Sequence, residues 1–249
     1  MRTFGLIGFP LAHSFSQKYF IEKFILENIT DCEFKNFPLE NLKDFPALLH
    51  NNPTLCGLSV TIPHKQNIFK FLDSIDEPAK KIGAVNCINI QSSVIGLRFS
   101  VGFNTDIFGF ENSLKFLLQE NHTNALILGS GGAAKAIEFV LKKLKIKYLF
   151  VSRNSHLVSG IKYQELSQEI ITSHLLIINT TPLGMFPNVN DCPDIPYEFI
   201  TSKHLLYDLT YNPEETLFLK KGKEKGARIK NGLEMLHLQA EEAWKIWNR

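Results

Sequence analysis

The stretch Ala125-Leu126-Ile127-Leu128-Gly129-Ser130-Gly131-Gly132-Ala133-Ala134-Lys135-Ala136 joins an apolar run to a glycine-rich turn, and helix-periodic sequence follows. The pattern predicts strand, turn and helix, the phosphate-binding start of a dinucleotide-binding domain. Gly129 permits the tight turn, and Gly131 lets backbone N–H groups approach a pyrophosphate that a Cβ would block. Small Ala134 lets the helix pack closely on the strand. Because the motif lies mid-chain, we expect another unit before it that holds the substrate.

Composition sets the class of the protein. At 249 residues the chain is long enough for one large or two modest domains. Its 44% hydrophobic and 21% charged content is ordinary for a soluble globular protein. The formal net charge of +2 is too small to indicate a nucleic-acid or membrane-surface protein.

Cysteine spacing and hydropathy narrow the class further. The four cysteines lie far apart and form no Cys-x-x-Cys pair, so we expect neither a metal site nor a disulfide scaffold. No apolar run approaches the ~18 residues of a membrane span, and the first residues do not form a cleavable signal. We therefore expect a cytoplasmic protein that binds neither membranes nor nucleic acid.

Strand-like and helix-like segments alternate along most of the chain. A strand over Phe4–Ile7 precedes a helix over Ser16–Asn28, which is predicted to bury Phe20, Phe24 and Ile25 on one face. Strands near Cys87–Ile90 and Val94–Phe103 suggest a hairpin. The alternation predicts α/β architecture, with parallel sheets and crossover helices in both halves.

The residues after the second strand of the dinucleotide unit indicate which cofactor it binds. An NAD site usually has an acidic residue here to accept hydrogen bonds from the ribose hydroxyls. This chain has Ser152-Arg153 instead. A guanidinium can hold a 2′-phosphate by charge-assisted hydrogen bonds, so the sequence favours NADP. The alternative is that Arg153 is only a surface residue.

Two polar clusters in the first half follow strand-like segments. Ser14 and Ser16 lie beside a helix start, where a carboxylate could meet free N–H groups, although either serine could simply cap the helix. Lys65 follows the strand that ends near Thr61, and ligands bind at the carboxyl ends of strands in open α/β sheets. A lone lysine there could equally be an ordinary exposed residue.

Together these segments resemble the shikimate dehydrogenase family, collinearly over nearly the whole chain. The first half contributes Gly8-x-Pro10-x-x-His13-Ser14-x-Ser16, Ser59-Val60-Thr61-x-Pro63-x-Lys65, Gly83-Ala84-Val85-Asn86 and Gly102-Phe103-Asn104-Thr105-Asp106. The second half contributes the glycine turn, Asn179-Thr180-Thr181-Pro182-Leu183-Gly184-Met185, Asp208-Leu209-Thr210-Tyr211-Asn212-Pro213 and Asn231-Gly232-Leu233-Glu234-Met235-Leu236-x-x-Gln239-Ala240.

The resemblance implies an NADP-dependent enzyme that interconverts 3-dehydroshikimate and shikimate in chorismate and aromatic amino-acid biosynthesis. It implies a substrate-binding domain over residues 1–105, completed by a helix over 233–249, and a Rossmann-like NADP-binding domain over 106–232, with a cleft between them. Catalysis would fall to Lys65 as acid and base and to Asp106 as its partner. The substrate would contact Ser14, Ser16, Thr61, Asn86, Tyr211 and Gln239. The cofactor would contact Gly129, Ser130, Gly131, Gly132, Ala133, Ser152, Arg153, Thr180, Gly232 and Met235.

The chain departs from the family pattern at a few positions. Leu157 stands where a second cation for the cofactor phosphate is common, so discrimination against NAD is expected to be less strict. Glu234 occupies a position where glycine is common. A quinate or dual quinate/shikimate dehydrogenase with relaxed use of NAD and NADP is the alternative reading. The sequence leaves monomer and homodimer open.

Overall fold

The computed structural model describes residues 1–11, 15–92, 97–153 and 160–249. The strands are β1 (Arg2–Gly8), β2 (Cys32–Pro38), β3 (Leu55–Val60), β4 (Ser74–Ile75), β5 (Cys87–Ser92), β6 (Arg98–Phe103), β7 (Asn124–Leu128), β8 (Lys147–Val151), β9 (Gly160–Ile161), β10 (Leu176–Asn179), β11 (Leu205–Asp208) and β12 (Arg228–Lys230). The α-helices are α1 (Phe15–Leu26), α2 (Phe45–Asn51), α3 (Glu77–Ile82), α4 (Asp106–Leu114), α5 (Gly132–Lys143), α6 (Gln168–Ser173), α7 (Leu217–Glu224) and α8 (Leu233–Trp247).

The chain divides into two compact units. Unit 1 comprises Met1–Thr105 together with Ala240–Arg249, and unit 2 comprises Asp106–Gln239. Each unit has its own six-stranded sheet and helices, which confirms the two-domain α/β class. The division near the C-terminus falls within α8, which runs without interruption from Leu233 to Trp247.

The sheet of unit 1 is mixed, with strand order β2-β1-β3-β5-β6-β4. The prediction of parallel sheets in both halves is therefore wrong for this unit, because β5 pairs antiparallel with both β3 and β6. Residues 93–97 between β5 and β6 are too few for the crossover that a parallel connection needs. The antiparallel pairing extends from Cys87 opposite Phe103 to Ser92 opposite Arg98. The expected turn lies outside the described residues, which omit 93–96.

An aromatic cluster joins α1, β1 and β2 to the end of α8 in unit 1. The Phe20 and Phe34 rings stack with centroids 4.8 Å apart, and the Phe4 ring stacks on Trp247 at 5.2 Å. The Trp247 indole N–H donates a 3.0 Å hydrogen bond to the Ile88 carbonyl. Ile25, predicted to share the buried face of α1, is 71% exposed. Phe20 and Phe24 are four residues apart and face the core, whereas Ile25 lies about 100° further round the helix.

An ion-paired lysine connects the same two helices. Lys23 on α1 is buried, and its Nζ lies 2.6 Å from Glu27 and 2.9 Å from Glu241 on α8. Burial alone lowers the pKa of Lys23, but hydrogen bonds to the two carboxylates outweigh it and raise the pKa. The Tyr19 hydroxyl also donates to Glu241. These polar contacts attach residues 240–249 to unit 1 in addition to the aromatic packing.

The sheet of unit 2 is parallel throughout, with strand order β12-β11-β10-β7-β8-β9. This confirms the prediction for the second half. α4 runs from Asp106 to Leu114. Its Ser113 hydroxyl forms a buried 2.7 Å hydrogen bond with the Tyr207 hydroxyl of β11. Within the described residues, every helix is too short or too polar to cross a membrane.

Candidate cofactor and substrate sites

The glycine turn of unit 2 connects β7 to α5 at the carboxyl edge of the parallel sheet. Gly129 has a φ of +115°, which favours glycine, and an added Cβ would lie 2.6 Å from the Thr180 hydroxyl oxygen. Gly131 caps α5 with an extended φ of −79°, and no described heavy atom lies within 4 Å of an added Cβ. The space beside Gly131 is therefore open, directly before a helix N-terminus.

This geometry fits a phosphate group. The first N–H groups of a helix have no partner within the helix, and the helix dipole favours an anion there. Gly132 and Ala133 form the first turn of α5, and Ser130 lies in the turn before it. The glycine at position 129 is required by the fold. No described residue requires a glycine at position 131, and the open space beside it fits a ligand that needs a close approach to the backbone.

Two buried hydroxyl groups, one just after β8 and one just after β9, have no hydrogen-bond partner among the described residues. Ser152 is 5% exposed, and within the part of the chain that the structure describes neither its buried hydroxyl oxygen nor that of Tyr163 has a partner. Burial raises the pKa of Tyr163 to about 12, and the positive charge of Arg153 opposes that rise. Arg153 itself is exposed. Buried polar atoms are nearly always satisfied in native proteins, so these hydroxyls fit a site completed by a polar ligand. Leu157 lies outside the described residues.

A hydrogen-bonded carboxylate connects the ends of β10 and β11. Asp208 is fully buried and accepts hydrogen bonds from the Asn179 side chain, the Thr210 backbone and the Thr216 hydroxyl. Burial raises the pKa of Asp208 to about 6, although these hydrogen bonds oppose the rise. Asp208 and Asn179 lie within segments that resemble the family, but no role was predicted for them. A role could have been inferred from the sequence, because each of these polar residues ends an otherwise apolar strand.

The remaining predicted residues of unit 2 lie after β11 and at the start of α8. Gly232 packs so closely on Leu209 that a Cβ would overlap its carbonyl group. Burial raises the pKa of half-buried Tyr211. Met235 is 7% exposed within the hydrophobic core of unit 2, and the Gln239 amide donates to the Leu236 carbonyl at 3.0 Å.

Glu234, the departure from the family's glycine, has a local partner. Its carboxylate forms an ion pair with Lys230, which precedes it by four residues at the end of β12. An acidic side chain in the first turn of a helix also interacts favourably with the helix dipole. The substitution is therefore compatible with the start of α8.

In unit 1, backbone and amide hydrogen bonds bring the polar segments together. The Val85 N–H donates to the Lys65 carbonyl at 2.7 Å, and the Val60 N–H donates to the Asn86 carbonyl at 2.8 Å. The buried Asn86 side chain donates to the Thr105 hydroxyl at 3.0 Å and accepts from the Thr105 N–H at 2.7 Å. Three segments far apart in sequence, around 60–65, 85–86 and 105, thus converge at one end of the sheet.

Thr61 and Lys65 are partly exposed at this end of the sheet, where Thr61 follows β3 directly. Asp106 is 6% exposed and begins α4 directly after Thr105, so the Asn86 amide fixes the backbone just before it. Ser16 is half-buried in the first turn of α1. Ser14 lies outside the described residues. Among the described residues, the structure contains no cluster of His, Cys, Asp and Glu placed to hold a metal.

The fold and these sites define a two-domain α/β protein whose second unit is a Rossmann-like dinucleotide-binding domain. Residues 6–88 match the family model described as the shikimate dehydrogenase substrate binding domain. The chain belongs to the shikimate dehydrogenase family.

Full-length relatives support this assignment. The chain is 37% identical over 261 residues to a protein of Methanosphaera stadtmanae named shikimate dehydrogenase (NADP(+)), covering 98% of this chain and 90% of that one. A crystal structure of shikimate dehydrogenase from Aquifex aeolicus is similar with a TM-score of 0.85 at 32% identity, covering 100% of this chain and 92% of that one. That of Thermus thermophilus shikimate 5-dehydrogenase in complex with NADP(H) and shikimate has a TM-score of 0.83 at 28% identity, covering 99% and 93%.

Proposed function

We propose that this protein is an NADP-dependent shikimate dehydrogenase that reversibly reduces 3-dehydroshikimate to shikimate. The observation that carries the proposal is the position of Lys65, just beyond the carboxyl end of β3 and within the segment that matches the substrate-binding family model. Its carbonyl is bound to the Val85 N–H at 2.7 Å. The names of full-length relatives supply the substrate and the cofactor.

The cofactor would be held by unit 2. Gly129, Ser130, Gly131, Gly132 and Ala133 would surround the pyrophosphate, with the open space beside Gly131 as the supporting observation. Ser152 and Arg153 would hold the 2′-phosphate; the supporting observation is the buried Ser152 hydroxyl, which has no partner among residues 1–11, 15–92, 97–153 and 160–249. Thr180, Gly232 and Met235 would flank the nicotinamide side. When bound, the nicotinamide supplies or accepts the hydride.

The protein's own contribution is positioning and one proton. Lys65 hydrogen-bonds the C3 oxygen of the substrate, donates a proton to it during reduction and accepts the proton in reverse. The ammonium also stabilises negative charge that develops on this oxygen. Asp106 orients the lysine and binds a neighbouring ring hydroxyl. Thr61, Asn86 and Gln239 contact the other hydroxyls, while Ser14, Ser16 and Tyr211 bind the carboxylate.

An assay with two acids and two cofactors tests this function. We expect the highest kcat/KM with shikimate and NADP⁺, a lower value with shikimate and NAD⁺, and the lowest values with quinate. Faster oxidation of quinate would favour the quinate dehydrogenase alternative. Oxidation of neither acid would refute the proposal.

Arg153→Ser tests the source of cofactor selectivity. Loss of charge-assisted hydrogen bonds to a 2′-phosphate removes about 1.5–3 kcal/mol. We therefore expect kcat/KM for NADP⁺ to fall about 10- to 150-fold, with little change for NAD⁺. Lys147→Ser is the matched control, because Lys147 is also exposed but begins β8, whereas Arg153 follows its end. An equal loss with both cofactors would contradict this role.

A further inference from the structure

The carboxylate of Asp208 lies at the centre of a buried network in unit 2. Its side chain is fully buried, and the donors that the structure shows for it are the neutral groups of Asn179, Thr210 and Thr216. An ionised carboxylate buried without a cation is costly, so its presence needs a reason beyond packing. Each of the three donors leads to a different segment at the carboxyl end of the sheet.

The first branch leads to the glycine turn. Asp208 Oδ1 accepts from Asn179 Nδ2 at 3.0 Å, which fixes the orientation of the Asn179 amide. Asn179 Oδ1 then accepts from the Thr181 N–H at 3.0 Å and from its hydroxyl at 2.6 Å. The adjacent Thr180 binds the Leu128 carbonyl through both its N–H, at 2.9 Å, and its hydroxyl, at 2.7 Å. The carboxylate thereby fixes Thr181 through Asn179, next to Thr180, which is itself bound to the residue that precedes Gly129.

The second branch leads to Gly232. Asp208 Oδ1 also accepts from the Thr210 N–H at 2.9 Å, and the Thr210 carbonyl accepts from the Gly232 N–H at 3.0 Å. Leu209 lies between Asp208 and Thr210 in the sequence, and Gly232 packs against it. The position of Gly232 before α8 is thus coupled to the same oxygen that holds Asn179.

The third branch leads to the start of α7. Asp208 Oδ2 accepts from the Thr216 hydroxyl at 2.6 Å, and Thr216 is the N-cap of α7, where it accepts from the Leu219 N–H. The Thr216 hydroxyl therefore both donates and accepts a hydrogen bond. It holds the carboxylate in one rotamer, so that Oδ1 faces its two donors.

We propose that Asp208 is a positioning residue for the cofactor, because its carboxylate holds the backbone beside Thr180, through Asn179, and the backbone that binds Gly232, through Thr210, at the edge of the dinucleotide site. The inference rests on the proposed function, which assigns these two residues to the nicotinamide side. Asp208 is buried and does not itself touch the cofactor. Asn179 connects the Asp208 carboxylate to Thr181, and Thr216 holds the carboxylate in its orientation.

Asp208→Asn is the principal test, because the amide has the same shape but presents Nδ2 where one oxygen accepted. We expect Kd for NADPH, measured by cofactor fluorescence without substrate, to rise about tenfold, the effect of one well-formed hydrogen bond. In the cofactor-free protein, amide exchange is expected to become faster at Thr181 and Thr210. Ser113→Ala is the matched control, since it removes a buried 2.7 Å hydrogen bond to Tyr207, the residue before Asp208. It is expected to lower stability while leaving Kd within about twofold.

A second pair of variants tests the inference independently if Asp208→Asn does not fold. Thr216→Val loses the donor to Oδ2 and is expected to weaken NADPH binding, whereas Thr216→Ser keeps the hydroxyl and should restore wild-type Kd. Unchanged Kd in Asp208→Asn and Thr216→Val would overturn the inference, as would an equal rise in Ser113→Ala. Wild-type protein that binds NADPH but oxidises no shikimate would refute the proposed function alone. Protein that binds no NADPH would refute both.

Discussion

Replacing Lys65 with alanine is expected to lower kcat about 10²- to 10⁴-fold, the usual range for loss of a general acid–base group, with a smaller change in KM. We expect the variant to fold, because the backbone at Lys65 is held by a hydrogen bond from the Val85 N–H to the Lys65 carbonyl. Alanine retains this bond. Steady-state kinetics in both directions, together with circular dichroism, measure the effect.

Lys70→Ala is the matched control for Lys65→Ala. Lys70 is exposed in the short 3₁₀ helix Asn67–Phe71, so its removal changes the net charge equally but takes no group from the end of β3. We expect near wild-type kcat. Near-normal turnover by Lys65→Ala, or an equal loss in Lys70→Ala, would exclude Lys65 as the proton donor.

Replacing Gly131 with alanine is expected to weaken NADPH binding about 10- to 100-fold, equivalent to about 1.4–2.8 kcal/mol, without lowering stability. The extended φ of −79° suits any residue, and no described atom lies within 4 Å of the new Cβ. The smaller entropy of the unfolded chain is expected to raise the free energy of unfolding by about 0.4–1 kcal/mol. Urea unfolding and fluorescence titration with NADPH measure the two quantities.

Gly129→Ala, in the same turn, is expected to lower the stability that Gly131→Ala leaves intact. Its φ of +115° is strained for alanine, and the Cβ would meet the Thr180 hydroxyl at 2.6 Å. We expect a loss of about 1–3 kcal/mol in the free energy of unfolding. If Gly131→Ala bound NADPH normally, the open space beside this residue would not be the phosphate site.

The sequence was informative wherever one short segment determines the outcome. The apolar run before Gly129, the turn and α5 form one local unit, and α8 begins at the predicted residue, Leu233. The parallel sheet of unit 2 followed from helices long enough to cross between strands. The hairpin pattern predicted the antiparallel pairing of β5 with β6. The antiparallel pairing of β5 with β3 was not predicted, because alternation of strands and helices does not by itself fix the direction of pairing.

Side-chain partnerships over long sequence distances were not predictable. Asn179 and Asp208 are separated by 29 residues and meet only because β10 and β11 are adjacent and in register, with Asn179 opposite Asp208. Asn86 and Thr105 likewise meet through the fold of unit 1. A single sequence gives the chemical type of such residues, whereas their pairing follows only from the three-dimensional fold.

The return of α8 to unit 1 has a consequence for biosynthesis. Phe4 and Phe20 pack on Trp244 and Trp247, which are translated only after all of unit 2. Unit 2 is continuous in sequence and can close its core as soon as it is synthesised, whereas unit 1 must wait with these aromatic side chains uncovered. Exposed apolar surface on a nascent chain favours aggregation and chaperone binding. The N-terminal unit is therefore expected to mature last, in the reverse of the usual order along a growing polypeptide.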